Sequence, residues 1–452
     1  MKALFGTDGI RGHAGEFPLD DRSVFALGAS LARQLSERLG RNARIVTGRD
    51  TRESGPQIEA AFHAGASSAG AECLSSDVLT TPGVAYITRK FDFDSGVVVS
   101  ASHNPYQDNG IKIFVPSGKK IEAAVEGAIE ADIYAACEVG GESAYTQAGS
   151  LRSDERFRVD YLQHLIDEVD RLDLAGKRIV VDCANGAASM LAPELFERLG
   201  ASVIAINNQP DGRNINEGCG SLHLERLQEA VDEHQADAGV AFDGDADRAL
   251  FVDENGDIVD GDATLWVMAR FLNEHGKLAN STVVATVMSN IGLEMALESI
   301  GVRLDRTNVG DKYVLEELLK TGSAIGGEQS GHIILPEISL VGDGMMTALM
   351  LLKAVTERDM TLSQAVAGFT KYPQILVNVK VGEKRPFDEV PEIAAAAAEL
   401  ENELDGNGRL LLRYSGTENL ARVMIEGKDQ TAIEAQANRL GDVIAAAIPP
   451  HK

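Results

Sequence analysis

From residue 44 the chain alternates short β-branched runs with longer stretches of helical periodicity, and the alternation recurs three times. Arg44-Ile45-Val46-Thr47 reads as a strand, 56–70 as a helix, and Val97-Val98-Val99 as a buried strand that breaks into a polar loop around Ser102. A second unit opens at 177–181, passes through a helix ending at Leu199, a strand at 203–206 and a helix at 222–234, and ends with a strand at 239–242 and the loop 243–248. A third opens at 281–285, carries helices at 293–300 and 312–319, and ends with Ala324-Ile325 and the loop 326–332. Such alternation implies mixed or parallel sheets with right-handed crossovers, so the three loops fall at equivalent sheet edges, where ligands bind in α/β proteins. After Thr361 the pattern changes to a strand (374–381), an alanine-rich helix (392–404), strands at 409–412 and 421–426, and a helix at 431–447. The expected fold is therefore α/β: three similar α/β domains with mixed sheets and a smaller C-terminal α+β domain, around a central cleft. The expected domains are 1–153, 154–254, 255–368 and 369–452.

Composition narrows the function. The 452 residues carry 42 Lys plus Arg against 69 Asp plus Glu, a formal charge of −27, which repels a polyanion such as nucleic acid. An anionic small substrate then needs local clusters of Arg, Lys and backbone amides. Cys73, Cys137, Cys183 and Cys219 are far apart in sequence, so neither a zinc site nor a disulfide framework is indicated, and a reducing compartment fits. No signal peptide is visible in residues 1–12, and the longest apolar stretch, 345–352, is well short of a membrane span. A cytoplasmic protein with no membrane or nucleic-acid partner is expected.

The loops carry the chemistry. Ser102, His103 and Asn104 follow the apolar strand, which places a hydroxyl and an imidazole at the mouth of a sheet, although Ser, Asn and Pro are also ordinary turn formers. Asp243, Asp245 and Asp247 stand at i, i+2 and i+4; in extended backbone their carboxylates share one face, and three converging carboxylates of this kind suit a hard cation such as Mg²⁺. A calcium EF-hand loop is the competing reading. It fails because Arg248 occupies its glycine position and because 251–259 reads as a hairpin with an Asn-Gly turn. Gly327-Glu328-Gln329-Ser330-Gly331-His332 offers groups that hydrogen-bond sugar hydroxyls. Arg413-Tyr414-Ser415-Gly416-Thr417-Glu418 offers a guanidinium, hydroxyls and a glycine amide to a phosphate. The opening Phe5-Gly6-Thr7-Asp8-Gly9-Ile10-Arg11-Gly12 brings glycine amides and Arg11 close to an anion. One chemistry uses all of these together: phosphoryl transfer, with a nucleophile, a metal and rigid positioning of the donor.

With these motifs in this order, the sequence resembles the α-D-phosphohexomutase family over essentially its whole length. The matching segments are Ala101 to Pro105, Asp243 to Arg248, Gly327 to His332 and Arg413 to Glu418. The resemblance implies that Ser102 is carried as phosphoserine, and that Ser102 (through its phosphate), Asp243, Asp245 and Asp247 hold Mg²⁺. It further implies that Arg11, His103, Lys112, Arg248 and His332 serve catalysis, with Lys112 or His332 as general base. Glu328, Ser330, Arg413, Ser415, Gly416 and Thr417 would bind substrate. The opening motif and Gln329, where relatives acting on mannose and glucose phosphates usually carry methionine, point to the branch that interconverts glucosamine 6-phosphate and glucosamine 1-phosphate. A hexosamine or hexose 1,6-bisphosphate is the implied activator and a homodimer is left open; broad action on glucose and mannose phosphates and a catalytically silent sugar-phosphate sensor are the rival readings. Two departures stand out. Ala246 replaces a common glycine without removing a ligand, and Tyr414 and Asn419 replace common prolines, which would loosen the phosphate loop.

Overall fold

The computed structural model describes residues 3–6, 8–138, 151–415 and 418–450, and these form two compact units: Met1–Thr286 with Thr307–Ala367, and Val287–Arg306 with Gly368–Lys452.

Three sheets organise the first unit. In the first, the strands run in the order Phe5–Gly6, Gly9–His13, Asp108–Phe114, Ser95–Val99, Arg44–Arg49 and Glu72–Val78. Every residue of Ser95–Val99 is buried, as expected of an apolar strand covered on both faces. It runs parallel to Arg44–Arg49 and antiparallel to Asp108–Phe114, with Val98 opposite Lys112. In the second sheet, Ala238–Phe242 lies parallel to Arg178–Asp182 and antiparallel to Ala249–Asp253. In the third, Gly326–Gly327 lies parallel to Thr282–Thr286 and antiparallel to Ile333–Ile334.

A common rule emerges from the register. The loops bearing Ser102, the three aspartates and Glu328 each join a strand with a parallel neighbour to an antiparallel strand that turns straight back beside it. The sheets are mixed for this reason, and a short return holds both ends of each loop in one hydrogen-bonded ladder.

Several expectations shift at their edges. The strand expected at 324–325 forms at Gly326–Gly327, and the helix expected from residue 222 starts at Glu225, after a 3₁₀ turn at Gly220–Leu222. The antiparallel strand Asp108–Phe114, which carries Lys112, was not anticipated. The 251–259 hairpin is present, with Gly256 at φ +86°, so the EF-hand reading is excluded on geometry as well.

In the second unit Leu420–Gly427 is the central strand, antiparallel to both Gln374–Lys380 and Gly408–Tyr414. The helices Pro391–Leu404 and Gln430–Ala447 supply Ile393, Leu400, Ile433, Leu440 and Ile444 to a core with Val423 and Ile425. The helix Ile291–Ser299 belongs here because buried Glu426 accepts hydrogen bonds from the Ile291 amide (3.0 Å) and Arg409 Nε (3.0 Å), while Arg409 also donates to the Val287 and Ser289 carbonyls. Among the described residues no helix is long and apolar enough to cross a membrane.

Candidate active site

Ser102 sits three residues past the end of its strand with φ +53°, a left-handed conformation that a non-glycine residue holds only when its surroundings impose it. What imposes it is Arg52, whose side chain is fully buried. Its guanidinium donates to the carbonyls of Ser102 (3.0 Å), Asn104 (2.9 Å), Pro105 and Asp108 (3.0 Å), and to the Asp50 carboxylate (2.9 Å). Asp50 also receives the Ser100 hydroxyl (2.6 Å), which accepts from the Ser102 amide (2.9 Å). Asn216 Nδ2 donates to the Ser102 and Asn104 carbonyls as well. The hydroxyl that results donates to Asp243 Oδ2 at 2.5 Å and lies 3.1 Å from His103 Nδ1. Burial, then the Arg248 and Arg11 charges, push the His103 pKa down to about 4, so this imidazole is neutral.

The three aspartates converge, but not by strand alternation. Residues 243–248 form a turn in which Ala246 has φ +56°, so the extended backbone assumed from the i, i+2, i+4 spacing is corrected: a left-handed residue folds the carboxylates together. That φ also explains why glycine suits this position. One oxygen from each of the three buried aspartates lies within 4.8 Å of the others. Lys112 Nζ bonds Asp245 Oδ2 (2.8 Å) and lies 3.3 Å from Asp247 Oδ2; Thr81 Oγ1 donates to Asp245 Oδ2 (2.5 Å). Asp245 Oδ1 and Asp247 Oδ1 remain buried without a hydrogen-bond partner. Asp243 has its pKa pushed well up by burial and then by Asp247 and Asp245, the signature of a carboxylate cluster short of positive charge. Two open hard oxygens and a third carboxylate touching Ser102 fit Mg²⁺.

A cavity of about 440 Å³ opens beside this cluster, and Asp8, Arg11, His103, Arg248, Glu328 and His332 are on its wall. Arg11 Nε, Arg248 Nε, Glu328 Oε1 and His332 Nε2 are all buried and lack a hydrogen-bond partner. Native interiors rarely leave such groups unpaired, so their concentration at one cavity marks a place made for a polar ligand. Asp8 holds Arg11 (2.6 Å) and Lys112 (3.1 Å), and Lys120 bridges Asp8 (2.9 Å) to Asp311 (2.7 Å). Burial would lower the pKa of Lys112, but Asp245, Asp8 and Asp247 outweigh it and hold the ammonium charged. Burial likewise opposes the charge on His332, yet Asp247, 3.7 Å away, lifts its pKa to about 9.

The chain matches, in order, the four domain descriptions of the phosphoglucomutase/phosphomannomutase family: α/β/α domain I over residues 2–138, domain II over 159–256, domain III over 260–372 and the C-terminal domain over 376–443. It belongs to the phosphoglucomutase/phosphomannomutase family. A phosphoglucosamine mutase of Solibacter usitatus (strain Ellin6076) is 48% identical over 98% of both chains. Among solved structures, a phosphoglucomutase/phosphomannomutase family protein from Burkholderia thailandensis superposes with a TM-score of 0.80 at 23% identity, covering 100% of this chain and 98% of its own. Aspergillus fumigatus N-acetylphosphoglucosamine mutase, in complex with GlcNAc-6P and magnesium, has a TM-score of 0.69 at 20% identity, covering 98% of this chain and 96% of its own.

Within this phosphohexomutase fold, Arg413, the last residue but one of its strand, lies directly opposite Arg422, so two guanidinium groups stand side by side. Burial and then Arg422 lower the Arg413 pKa, and Arg422 Nε has no hydrogen-bond partner; an anion would relieve both. Ser415 is buried, and Gly416 and Thr417 lie outside the described residues. Tyr414, which stands where proline is common, is itself held by two contacts. Its hydroxyl donates to the Arg385 carbonyl (2.6 Å) and its ring stacks on Phe387 at 4.3 Å. Ser330 lies 3.4 Å from Glu328 Oε2, whereas the Gln329 side chain turns away to Asp262. The residues sequence reasoning missed are Asp50, Arg52, Thr81, Asn216 and Arg422. Asp50-Thr51-Arg52 at a strand end was the available signal, since two opposite charges just past a buried strand need internal partners.

Proposed function

We propose that the chain interconverts glucosamine 6-phosphate and glucosamine 1-phosphate through a phosphoserine at Ser102 and an enzyme-held 1,6-bisphosphate. The observation that carries this is the row of unpartnered Arg11, Arg248, Glu328 and His332 atoms on one cavity wall beside a hydroxyl and three carboxylates. The phosphoglucosamine mutase name of the 48% identical relative supports the choice of sugar.

The sugar O1 forms the new bond to phosphorus as the bond from phosphorus to Ser102 Oγ breaks, and the proton lost by O1 passes, by way of neutral His103 beside Oγ, to the departing Ser102 oxygen. In the second half the phosphoryl group at O6 returns to Oγ. Arg11, Arg248, Lys112 and His332 surround the transferring group with positive charge, which such transfers demand. Lys112 and His332 were the open choices for general base. Both are held as cations by neighbouring carboxylates, so we assign them to charge stabilisation, and give the proton on Ser102 Oγ to neutral His103, 3.1 Å away. Asp243, Asp245 and Asp247 would hold Mg²⁺, which when bound supplies Lewis-acid neutralisation of phosphoryl charge. Glu328 and Ser330 are assigned to the sugar, and Arg413, Ser415, Gly416 and Thr417 to its phosphate. A 1,6-bisphosphate activator and a cytoplasmic location complete the reading.

The test is kcat/KM for glucosamine 6-phosphate, glucose 6-phosphate and mannose 6-phosphate with Mg²⁺ and a hexose bisphosphate. At least tenfold preference for the amino sugar, about 1.4 kcal/mol of discrimination, is expected. Comparable values for all three would establish a broad phosphohexomutase instead. Excess chelator should abolish turnover and added Mg²⁺ restore it; full activity in chelator would remove the metal assignment.

A further inference from the structure

We propose that Gln329 is a positioning residue: it binds not the substrate but the first turn of the helix Gly261–Glu274, and so fixes where the Glu328 carboxylate meets the sugar. Glu328 and His332 are on the cavity wall, and Gln329, between them in the chain, is not. Its Nε2 donates to Asp262 Oδ2 at 3.2 Å, and its carbonyl accepts from the Gly261 amide at 3.0 Å. Asp262 is fully buried, so this bond forms away from competing water. The approach is close enough to require glycine, since a Cβ on Gly261 would lie 2.0 Å from the Glu328 carbonyl oxygen. The other end of the loop is anchored too: the Gly331 amide donates to the Glu328 carbonyl (3.0 Å), and the Gly331 carbonyl accepts from Ala249 (3.1 Å). Glu328 is thus carried on a turn clamped on both sides, and one clamp is a side-chain pair that mutation can rewire. The sugar named in the proposed function is taken over here, but the loop geometry stands apart from it.

The experiment is a double-mutant cycle on the full-length, phosphorylated protein with Mg²⁺, using whichever hexose 6-phosphate the wild type turns over best. Gln329→Glu sets two carboxylates against each other and should raise KM at least tenfold with a smaller change in kcat. In an Asp262→Asn background the same exchange lets the new amide donate to the new carboxylate, and its cost should fall below threefold. Gln329→Leu, which removes the donor without adding charge, is expected to raise KM about threefold alone and by less on top of Asp262→Asn, whose amide oxygen still accepts but is a weaker acceptor than a carboxylate. Slow hydrolysis of phospho-Ser102 in sugar-free buffer needs no sugar loop and should be unchanged throughout. Equal cost of Gln329→Glu in both backgrounds, an unchanged KM, or a parallel fall in sugar-free hydrolysis would overturn the proposal. A wild-type preference for another hexose phosphate would overturn the proposed sugar and leave the cycle readable.

Discussion

Two buried polar regions lie on either side of Ser102, and they differ in one respect. Beneath it, Asp50, Arg52 and Ser100 satisfy one another and the backbone. A second satisfied cluster lies where the helix Gly55–Ser68 meets the strand Arg44–Arg49: Glu59 accepts from Ser75 (2.7 Å), Thr47 and Arg49, and His63 Nε2 meets Thr47 Oγ1 at 2.8 Å. On the cavity side, Arg11, Arg248, Glu328 and His332 all keep an atom without a partner. Both regions are water-poor and charged, so burial and charge alone do not distinguish scaffold from site. Saturation does: the closed network spends its hydrogen bonds on fixing a strained serine, and the open one keeps them for a ligand.

The largest effect should come from the atom between the two regions. Ser102→Ala removes the phosphoryl carrier, and activity is expected to fall by more than about 10⁴-fold, as for other covalent nucleophiles. The melting temperature should stay within a few degrees, because Arg52 and Asn216 grip the backbone carbonyl rather than the hydroxyl. Retained mutase activity would show that phosphoryl transfer does not pass through Ser102. A protein that unfolds instead would blur the division between scaffold and site.

Arg52→Met addresses the closed side. It leaves Asp50 buried without a cationic partner and strips donors from the carbonyls of Ser102, Asn104, Pro105 and Asp108. Breaking a buried pair in this way costs about 3–5 kcal/mol, read by denaturant melts. A matching substitution on the open side, Arg248→Met, should cost far less stability while reducing turnover. Equal stability losses in the two variants would mean that saturation carries no information about role.

How much of this was legible in the sequence follows the same line. The loops bearing Ser102, the three aspartates and Glu328 were readable, because their residue types announce chemistry and they follow apolar runs. The family membership that those motifs implied is borne out by the match of all four domain descriptions. Arg52 and Asn216 were not readable, since their partners are backbone carbonyls more than fifty positions away or close to it, and no side-chain pattern records a carbonyl. The direction of the Gln329 side chain was hidden for a related reason: its partner Asp262 is the second residue of a distant helix. Convergence of the aspartates was foreseen through the wrong geometry, because a period of two and a left-handed turn at Ala246 both bring the carboxylates together.

The smallest effect belongs to the closed network and tests whether its saturation is specific to one protonation state. Burial lowers the His63 pKa from 6.5 to about 4. The folded protein therefore keeps this imidazole neutral at a pH where the unfolded chain has already bound a proton. Stability contributed by the neutral ring is complete above pH 6.5 and is lost as the pH falls from there through about 4, since the unfolded state binds more protons across that window. The gap is worth roughly 3 kcal/mol at its acid limit. Wild-type and His63→Asn proteins melted between pH 7.5 and 4.5 should diverge, with the wild type losing stability faster on acidification because the variant has no ring to protonate. Parallel curves would mean that Glu59, one hydroxyl away through Thr47, takes up the charge of a protonated His63, and that this satisfied cluster tolerates two protonation states rather than one.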